Sequence, residues 1–323
     1  MNLTKSTVQG DFVSRNGVGP DNRDYDPVNA DPTRTPGLRV WADRLRPVLT
    51  DYHVHLRVDE PATTPASSAF TAANAERYRE VATERGIAEL GVAEHVYRFT
   101  AALDVWNHPL WVESARDDID DYARFVREET DLRLGIEADF IPGREDRMRS
   151  LLEGRDWDYV VGSIHFLSEG ALDYDLFDVW NSGRSPDHVW STYFEWLGEL
   201  AATGMYDILA HPDLVKHWGR ERPWPDKDLR FYYDIAMERI ADSGIAIEVS
   251  TAGLRKPIGE IYPDRAFLDM VIDAGNPIAL SSDAHTPEQL GFEYEQALAF
   301  LDDAGVKEIC VFDRRERRLE PIG

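Results

Sequence analysis

Asp51-Tyr52-His53-Val54-His55 carries two imidazoles two residues apart. In an extended chain such side chains share a face, so His53 and His55 can grip one ion. That spacing alone is a weak signal. Farther along, short apolar runs at 87–93, 132–136, 159–164, 206–210 and 278–280 end in residues of the same kind. They deliver His95, Glu137, His165, His211, and the pair Asp283 and His285. Singly, each has a dull alternative as a hydrogen-bonded structural histidine or a capping aspartate. Together, eight such residues at one end of successive strands are hard to explain by packing. A nitrogen and oxygen set without thiolate suits zinc, iron, manganese or another first-row divalent ion. The set is too large for one tetrahedral site, so two or three ions are expected. Ions placed together lower the pKa of a bound water and take up phosphoryl oxygens, so no side-chain nucleophile is required. Ser163 beside His165 is a strand neighbour and not the start of a Ser-His-Asp triad.

The elements that position these groups repeat. A helix with apolar residues at helical spacing is broken by a glycine, and a buried strand follows. Helices are expected over 71–85, 187–203, 227–243, 264–274 and 287–304, stopped by Gly86, Gly204, Gly244, Gly275 and Gly305. A glycine just past a helix supplies the left-handed exit. Val189, Tyr193, Trp196, Leu197 and Leu200 stripe one such helix; Leu229, Tyr232, Tyr233, Ala236 and Ile240 stripe another. Alternating strands and helices imply parallel βαβ units. An open sheet would spread the strand ends along a line, whereas a barrel collects them into a ring. The fold expected is α/β, a distorted (β/α)7 barrel with the metal site at the C-terminal ends of its strands. A candidate eighth strand lies at 308–312.

Residues 1–36, rich in Asn, Asp, Gly and Pro, read as an irregular or disordered arm ahead of a barrel over 37–323. The start of the chain is polar, with no apolar core of an export signal, and no run is long enough to span a bilayer. A cytoplasmic protein is expected. Cys310 lies in an apolar run and reads as a small buried residue. With 60 acidic and 35 basic residues the formal charge is −25, which disfavours long nucleic acid and anionic membranes as partners. A small phosphorylated substrate is still compatible with it if ions and a few cations dominate locally.

In order, the motifs HxH, EH, GxE, SxH, AHPD, ExST and SDAH resemble the polymerase-and-histidinol-phosphatase (PHP) superfamily of metal-dependent phosphoesterases, over 51–322. The stretches 210–216, 248–257 and 259–263 are most similar to its histidinol-phosphatase branch. The resemblance implies a phosphoric monoester hydrolase of histidine biosynthesis, cleaving L-histidinol phosphate to L-histidinol and phosphate by attack of a metal-bridging hydroxide. It puts His53, His55, Glu137 and Asp283 on one ion, His165 and His211 on a second that Glu137 bridges, and His95 with His285 on a third. Glu137, Asp283 and His285 are the implied catalytic members. The family's remaining ligand would fall at Pro61, so Asp59 or Glu60 is the expected substitute. Glu94 stands where the family commonly has Asp. Arg255, in the family's Leu-Arg-Lys-Pro segment, is the expected phosphate clamp, its guanidinium fork suiting phosphate oxygens. Lys216 and His217 are second choices, and Lys256 is read as facing solvent. His108 and His188 are read as structural. Trp106, Trp111 and Trp218 are candidates for a pocket wall. Rival readings are a phosphoesterase acting on a nucleotide or other small ester, and a barrel retained as a binding module.

Overall fold

The computed structural model describes residues 48–57 and 69–322. The expected N-terminal arm, Asp59, Glu60 and Pro61 lie outside the described residues. In chain order the first half comprises β1 (Leu49–Asp51), α1 (Ala72–Glu84), β2 (Ile87–His95), α2 (Pro109–Ser114), α3 (Ile119–Glu129), β3 (Arg133–Asp139), α4 (Glu145–Leu152) and β4 (Tyr159–Ser163). A small hairpin follows, β5 (Phe166–Leu167) with β6 (Gly170–Ala171). The second half runs α5 (Pro186–Ala202), β7 (Ile208–Leu209), α6 (Leu229–Ser243), β8 (Ala246–Ser250), α7 (Arg265–Asp273), β9 (Ile278–Ser281), α8 (Tyr294–Asp303), β10 (Glu308–Asp313) and β11 (Glu316–Pro321).

Seven strands form one parallel sheet in the order β1-β2-β3-β4-β7-β8-β9. The segments beyond its two edge strands meet. The His55 amide donates to the Ala284 carbonyl at 2.8 Å, and the Ala284 amide to the His53 carbonyl at 3.1 Å. This parallel bridge between Val54 and Ala284 closes the ring. All five expected glycines take positive φ at the helix exits. On α5, Val189, Tyr193, Leu197 and Leu200 are buried, and Trp196 is half-buried against the core. Ser185, Asp228 and Asp264 cap α5, α6 and α7 by accepting first-turn amides, each cap worth about 1 kcal/mol.

Inside the ring, Tyr159 lies across Gly91 and Gly135, where an added Cβ would fall 2.3 Å from its ring or hydroxyl. No larger residue fits there without moving that ring. Two expectations are corrected. β10 forms but does not join the ring: it pairs antiparallel with β11. Its Cys310 and Phe312 are buried against Tyr52, Tyr159, Ala246 and Ala279, closing the barrel interior. Burial pushes the Cys310 thiol up to about 12, consistent with a packing role. The helix expected over 287–304 is interrupted. A short turn over Pro287–Gln289 is followed by a bend at Gly291 (φ 61°), whose amide donates to Asp51 Oδ2 at 3.1 Å. That bond draws the chain onto β1 before α8 can begin.

Candidate metal centre

The ring gathers all eight expected side chains at the mouth formed by its strand ends. β1 runs on into His53 and His55, β2 ends on His95 opposite Glu137 of β3, and His165 and His211 come two residues after β4 and β7. Asp283 and His285 follow β9, Asp283 with φ 51°. Glu137 is the centre of the group. Its Oε2 lies 3.3 Å from His53 Nε2, 3.7 Å from His55 Nε2 and against His95 Nδ1. Its Oε1 lies 3.3 Å from His211 Nε2 and 3.4 Å from His165 Nε2. Asp283 Oδ1 stands 3.3 Å from His55 Nε2, and His285 Nε2 stands 3.4 Å from His95 Nε2. Among the described residues, three overlapping groups bring their ligand atoms within 4.8 Å of one another: His53, His55 and Glu137; His95, Glu137 and His165; His55, His95 and His285.

A second set of buried acids orients the imidazoles. His53 Nδ1 donates to Glu248 Oε1 at 2.8 Å and His165 Nδ1 to Asp139 Oδ1 at 2.8 Å, which turns both Nε2 atoms toward Glu137. Glu94 Oε1 accepts the Leu56 and Arg57 amides at 2.6 and 3.1 Å, and its other oxygen pairs with Arg98. Thus Glu94 fixes the turn that leaves His55. The sequence reading gave none of these acids a role. Asp139 was within reach of it, because it lies two residues past Glu137 and so on the same face of β3.

Burial alone would raise the pKa of Glu137 and Asp283. The imidazoles outweigh it: His95, His53 and His165 hold Glu137 well below the usual carboxylate range, and His53, His55 and His285 do the same for Asp283. Burial drives His55 well below its ordinary value, helped by His95 and His285. Burial opposes protonation of His53 and His165 too, but neighbouring carboxylates win. Glu248, Glu137 and Asp283 raise His53, and Glu137 with Asp139 pushes His165 up to about 10. His53 Nε2, both ring nitrogens of His55, Glu137 Oε2 and Asp283 Oδ1 are buried with no hydrogen-bond partner among the described residues. Buried polar atoms normally find partners. Lone pairs of this kind, converging around an ionised carboxylate, fit divalent ions of the zinc, iron or manganese class.

A cleft of about 450 Å³ opens onto this mouth, bounded by Arg57, Glu113, Asp173, Tyr174, His217 and Lys256. His95, His165, His211, Asp283 and His285 also face it. Of the expected substrate-binding residues, His217 lines the cleft, and burial lowers its pKa to about 4. Arg255 and Lys216 are not among the lining residues. Arg255 Nη2 donates to the carbonyls of Ser282 and Asp283 at 2.8 Å each, holding the Asp283 loop from behind. Lys216 is buried, its Nζ 3.0 Å from Asp213 Oδ2 and 3.2 Å from Glu260 Oε2. Lys256, read as facing solvent, instead lines the cleft. Trp106 and Trp111 are buried in the core, and Trp218 donates its indole N–H to the Leu172 carbonyl at 2.7 Å; none of the three bounds the cleft. His108 accepts the Leu110 amide at the start of α2, and His188 is exposed on α5, its backbone amide donating to the Ser185 cap.

Comparison with known proteins agrees with this geometry. The PHP domain family matches residues 51–252. A probable histidinol-phosphatase of Deinococcus radiodurans is 30% identical over 279 residues, covering 84% of this chain and 99% of that protein. A histidinol-phosphatase of Bacillus subtilis is 25% identical over 247 residues, covering 70% of this chain and 91% of its own length. Among solved structures, a histidinol phosphate phosphatase of Lactococcus lactis, complexed with zinc, L-histidinol and phosphate, superposes with a TM-score of 0.59 at 15% identity. That match covers 84% of this chain and 98% of the other. A putative histidinol phosphatase of Listeria monocytogenes gives 0.60 at 17% identity, covering 78% and 99%. At those identities the two structures speak for the fold.

Proposed function

This chain belongs to the PHP domain family, and on that premise we propose that it is a metal-dependent phosphomonoesterase that hydrolyses L-histidinol phosphate to L-histidinol and phosphate. The reaction is a step of histidine biosynthesis. The observation that carries the reading is Glu137, whose two oxygens face different imidazole sets, as a carboxylate shared between two ions must. In this reading His53, His55, Glu137 and Asp283 would hold one ion, and Glu137 with His165 and His211 would hold a second. His95 and His285, grouped with His55, would hold a third, and His95 also falls in one group with Glu137 and His165. Divalent ions bound there would lower the pKa of a coordinated water and offset charge growing on the phosphoryl oxygens.

The chain's own residues do the rest. Glu248 and Asp139 hold the His53 and His165 rings with their Nε2 atoms turned inward, so the donor set is ordered before any substrate arrives. Arg255 and the Val54–Ala284 bridge fix the Asp283–His285 loop against β1. Lys256 and His217 border the cleft where a phosphate would enter, the lysine as a point charge and the imidazole as a neutral hydrogen-bonding group.

The test is metal content per chain together with phosphate release from L-histidinol phosphate, AMP and p-nitrophenyl phosphate. Two or more ions per chain and a clear preference for L-histidinol phosphate are expected. Chelation should abolish turnover, and zinc, iron or manganese should restore it. A chain that takes up no metal and releases no phosphate would end the proposal, while broad, weak turnover would move it to another small ester.

A further inference from the structure

The segment after β6 carries three carboxylates, Asp173, Asp175 and Asp178, and two of them share ion pairs with one arginine. Arg222 Nη2 lies 2.6 Å from Asp175 Oδ1, and its Nε lies 2.9 Å from Asp178 Oδ2. Asp173 has no hydrogen-bond or ion-pair partner among the described residues, and it is the member of the three that lines the cleft. Its position is set from both sides. The Leu172 amide donates to the His165 carbonyl at 2.8 Å, and the Leu172 carbonyl accepts the Trp218 indole at 2.7 Å. Asp173 therefore follows a residue tied to the end of β4, and its charge acts on His165, His217 and Tyr262.

A half-buried carboxylate beside a metal mouth, left unpaired, is set to receive a cation. In L-histidinol phosphate the carbon bearing the ammonium is bonded to the carbon that carries the ester oxygen. When the phosphate is held at the mouth, that ammonium must sit close to it, among divalent ions and Lys256, where an unpaired positive charge is repelled. We propose that the Asp173 carboxylate receives the substrate's α-ammonium group and so selects amino-alcohol phosphates over esters without the amine. The inference rests on the histidinol-phosphatase reading above. Of the other acids facing the cleft, Asp283 belongs to the proposed metal set, and Glu113 lies on the exposed side of α2, where water screens it more strongly. Nucleotide monophosphates carry no ammonium, and an unpaired Asp173 would meet them as a repulsive charge.

The experiment compares kcat/KM for L-histidinol phosphate with that for its deamino analogue, 3-(imidazol-4-yl)propyl phosphate, in wild type, Asp173→Asn and Glu113→Gln. The amine-to-deamino ratio should fall about 10- to 100-fold in Asp173→Asn, the range for removing one partner of a charge-assisted contact that is not fully buried. Competitive inhibition of the wild type by L-histidinol should likewise be stronger than by the deamino alcohol. This second measurement needs no variant to fold. A ratio unchanged in Asp173→Asn, equal losses on both esters, equal inhibition by the two alcohols, or a ratio that collapses in Glu113→Gln instead would each overturn the proposal. Wild type that turns over the phosphate ester with any of those results leaves the phosphatase reading standing. Wild type inactive on both esters would remove that reading and this proposal together.

Discussion

Glu137 and the acids behind the imidazoles divide the work at the residue scale. Glu137 meets five imidazoles, so Glu137→Gln removes the charge that the shared position requires. The expected result is loss of at least one ion per chain, with kcat down by about 10³-fold or more. Elemental analysis beside kinetics would separate this from a folding defect. Glu248 accepts from the far nitrogen of His53, from the His211 amide and from the Ser281 hydroxyl, and is a positioning residue, so Glu248→Gln should weaken metal affinity by about 10- to 100-fold while saturating metal restores most of kcat. An unchanged metal titration would remove that role. Proton linkage gives a further prediction. His165 ordinarily titrates at 6.5 and is raised to about 10 in the metal-free fold: burial opposes the shift, but Glu137 and Asp139 outweigh it. Protonated His165 therefore stabilises the metal-free chain fully below pH 6.5, and this contribution is lost as the pH climbs toward about 10. An ion must displace that proton, so metal uptake near pH 7.5 should release protons, and apparent affinity should rise with pH. Calorimetry in buffers of different ionisation enthalpy measures this; heats independent of buffer would contradict it.

The elements show what the sequence made legible and what it withheld. Strands of the ring were readable because each is a short apolar run following a helix and a glycine, and the ligands were readable because they sit where those runs stop. β11 was not readable: Glu316-Arg317-Arg318-Leu319-Glu320-Pro321 is mostly exposed and has no apolar alternation, so only its partner β10 left a trace. Nor could sequence tell which of Arg255 and Lys256 faces the cleft. Arg255 ends a short helical turn over Thr251–Arg255 and Lys256 follows it, and the Asp283 loop packed against the turn takes up Arg255. The consequence is a revised expectation for Arg255→Ala. It frees two carbonyls on the loop that carries a ligand, so stability should drop by about 1–3 kcal/mol and metal affinity should weaken. Lys256→Ala should instead raise KM with the metal content intact. If urea denaturation and metal titration leave Arg255→Ala at wild-type values while KM rises, the arginine is the phosphate clamp after all. The β10–β11 hairpin is tested separately. Phe312 is buried in the barrel interior against Tyr52 and Tyr159, so Phe312→Ala should cost about 3–5 kcal/mol in urea unfolding, with KM unchanged at low denaturant. A loss below about 1 kcal/mol would mean the interior is closed by something else.

For the whole molecule, the formal charge of −25 sets a field that opposes the approach of any phosphate ester. The cleft counters it locally with Lys256, since Arg57 and Arg98 on its wall are paired with Asp117 and Glu94, and bound divalent ions would add to it. These two effects act over different distances, and salt separates them. At about 0.01 M salt the screening length is roughly 30 Å and the whole surface is felt; near 0.3 M it shrinks to about 6 Å and only the mouth remains. Raising potassium chloride across that range should therefore increase kcat/KM, by about 2- to 5-fold, while kcat stays level, because screening removes long-range repulsion before it reaches the short contacts. The effect should be larger for an ester with no ammonium. Its phosphate carries about −1.5 to −2 near neutral pH with nothing to offset it, whereas L-histidinol phosphate carries one compensating positive charge. A fall in kcat/KM with salt for both esters would show that the cations at the mouth govern capture and that the acidic surface has no part in choosing what the cleft admits.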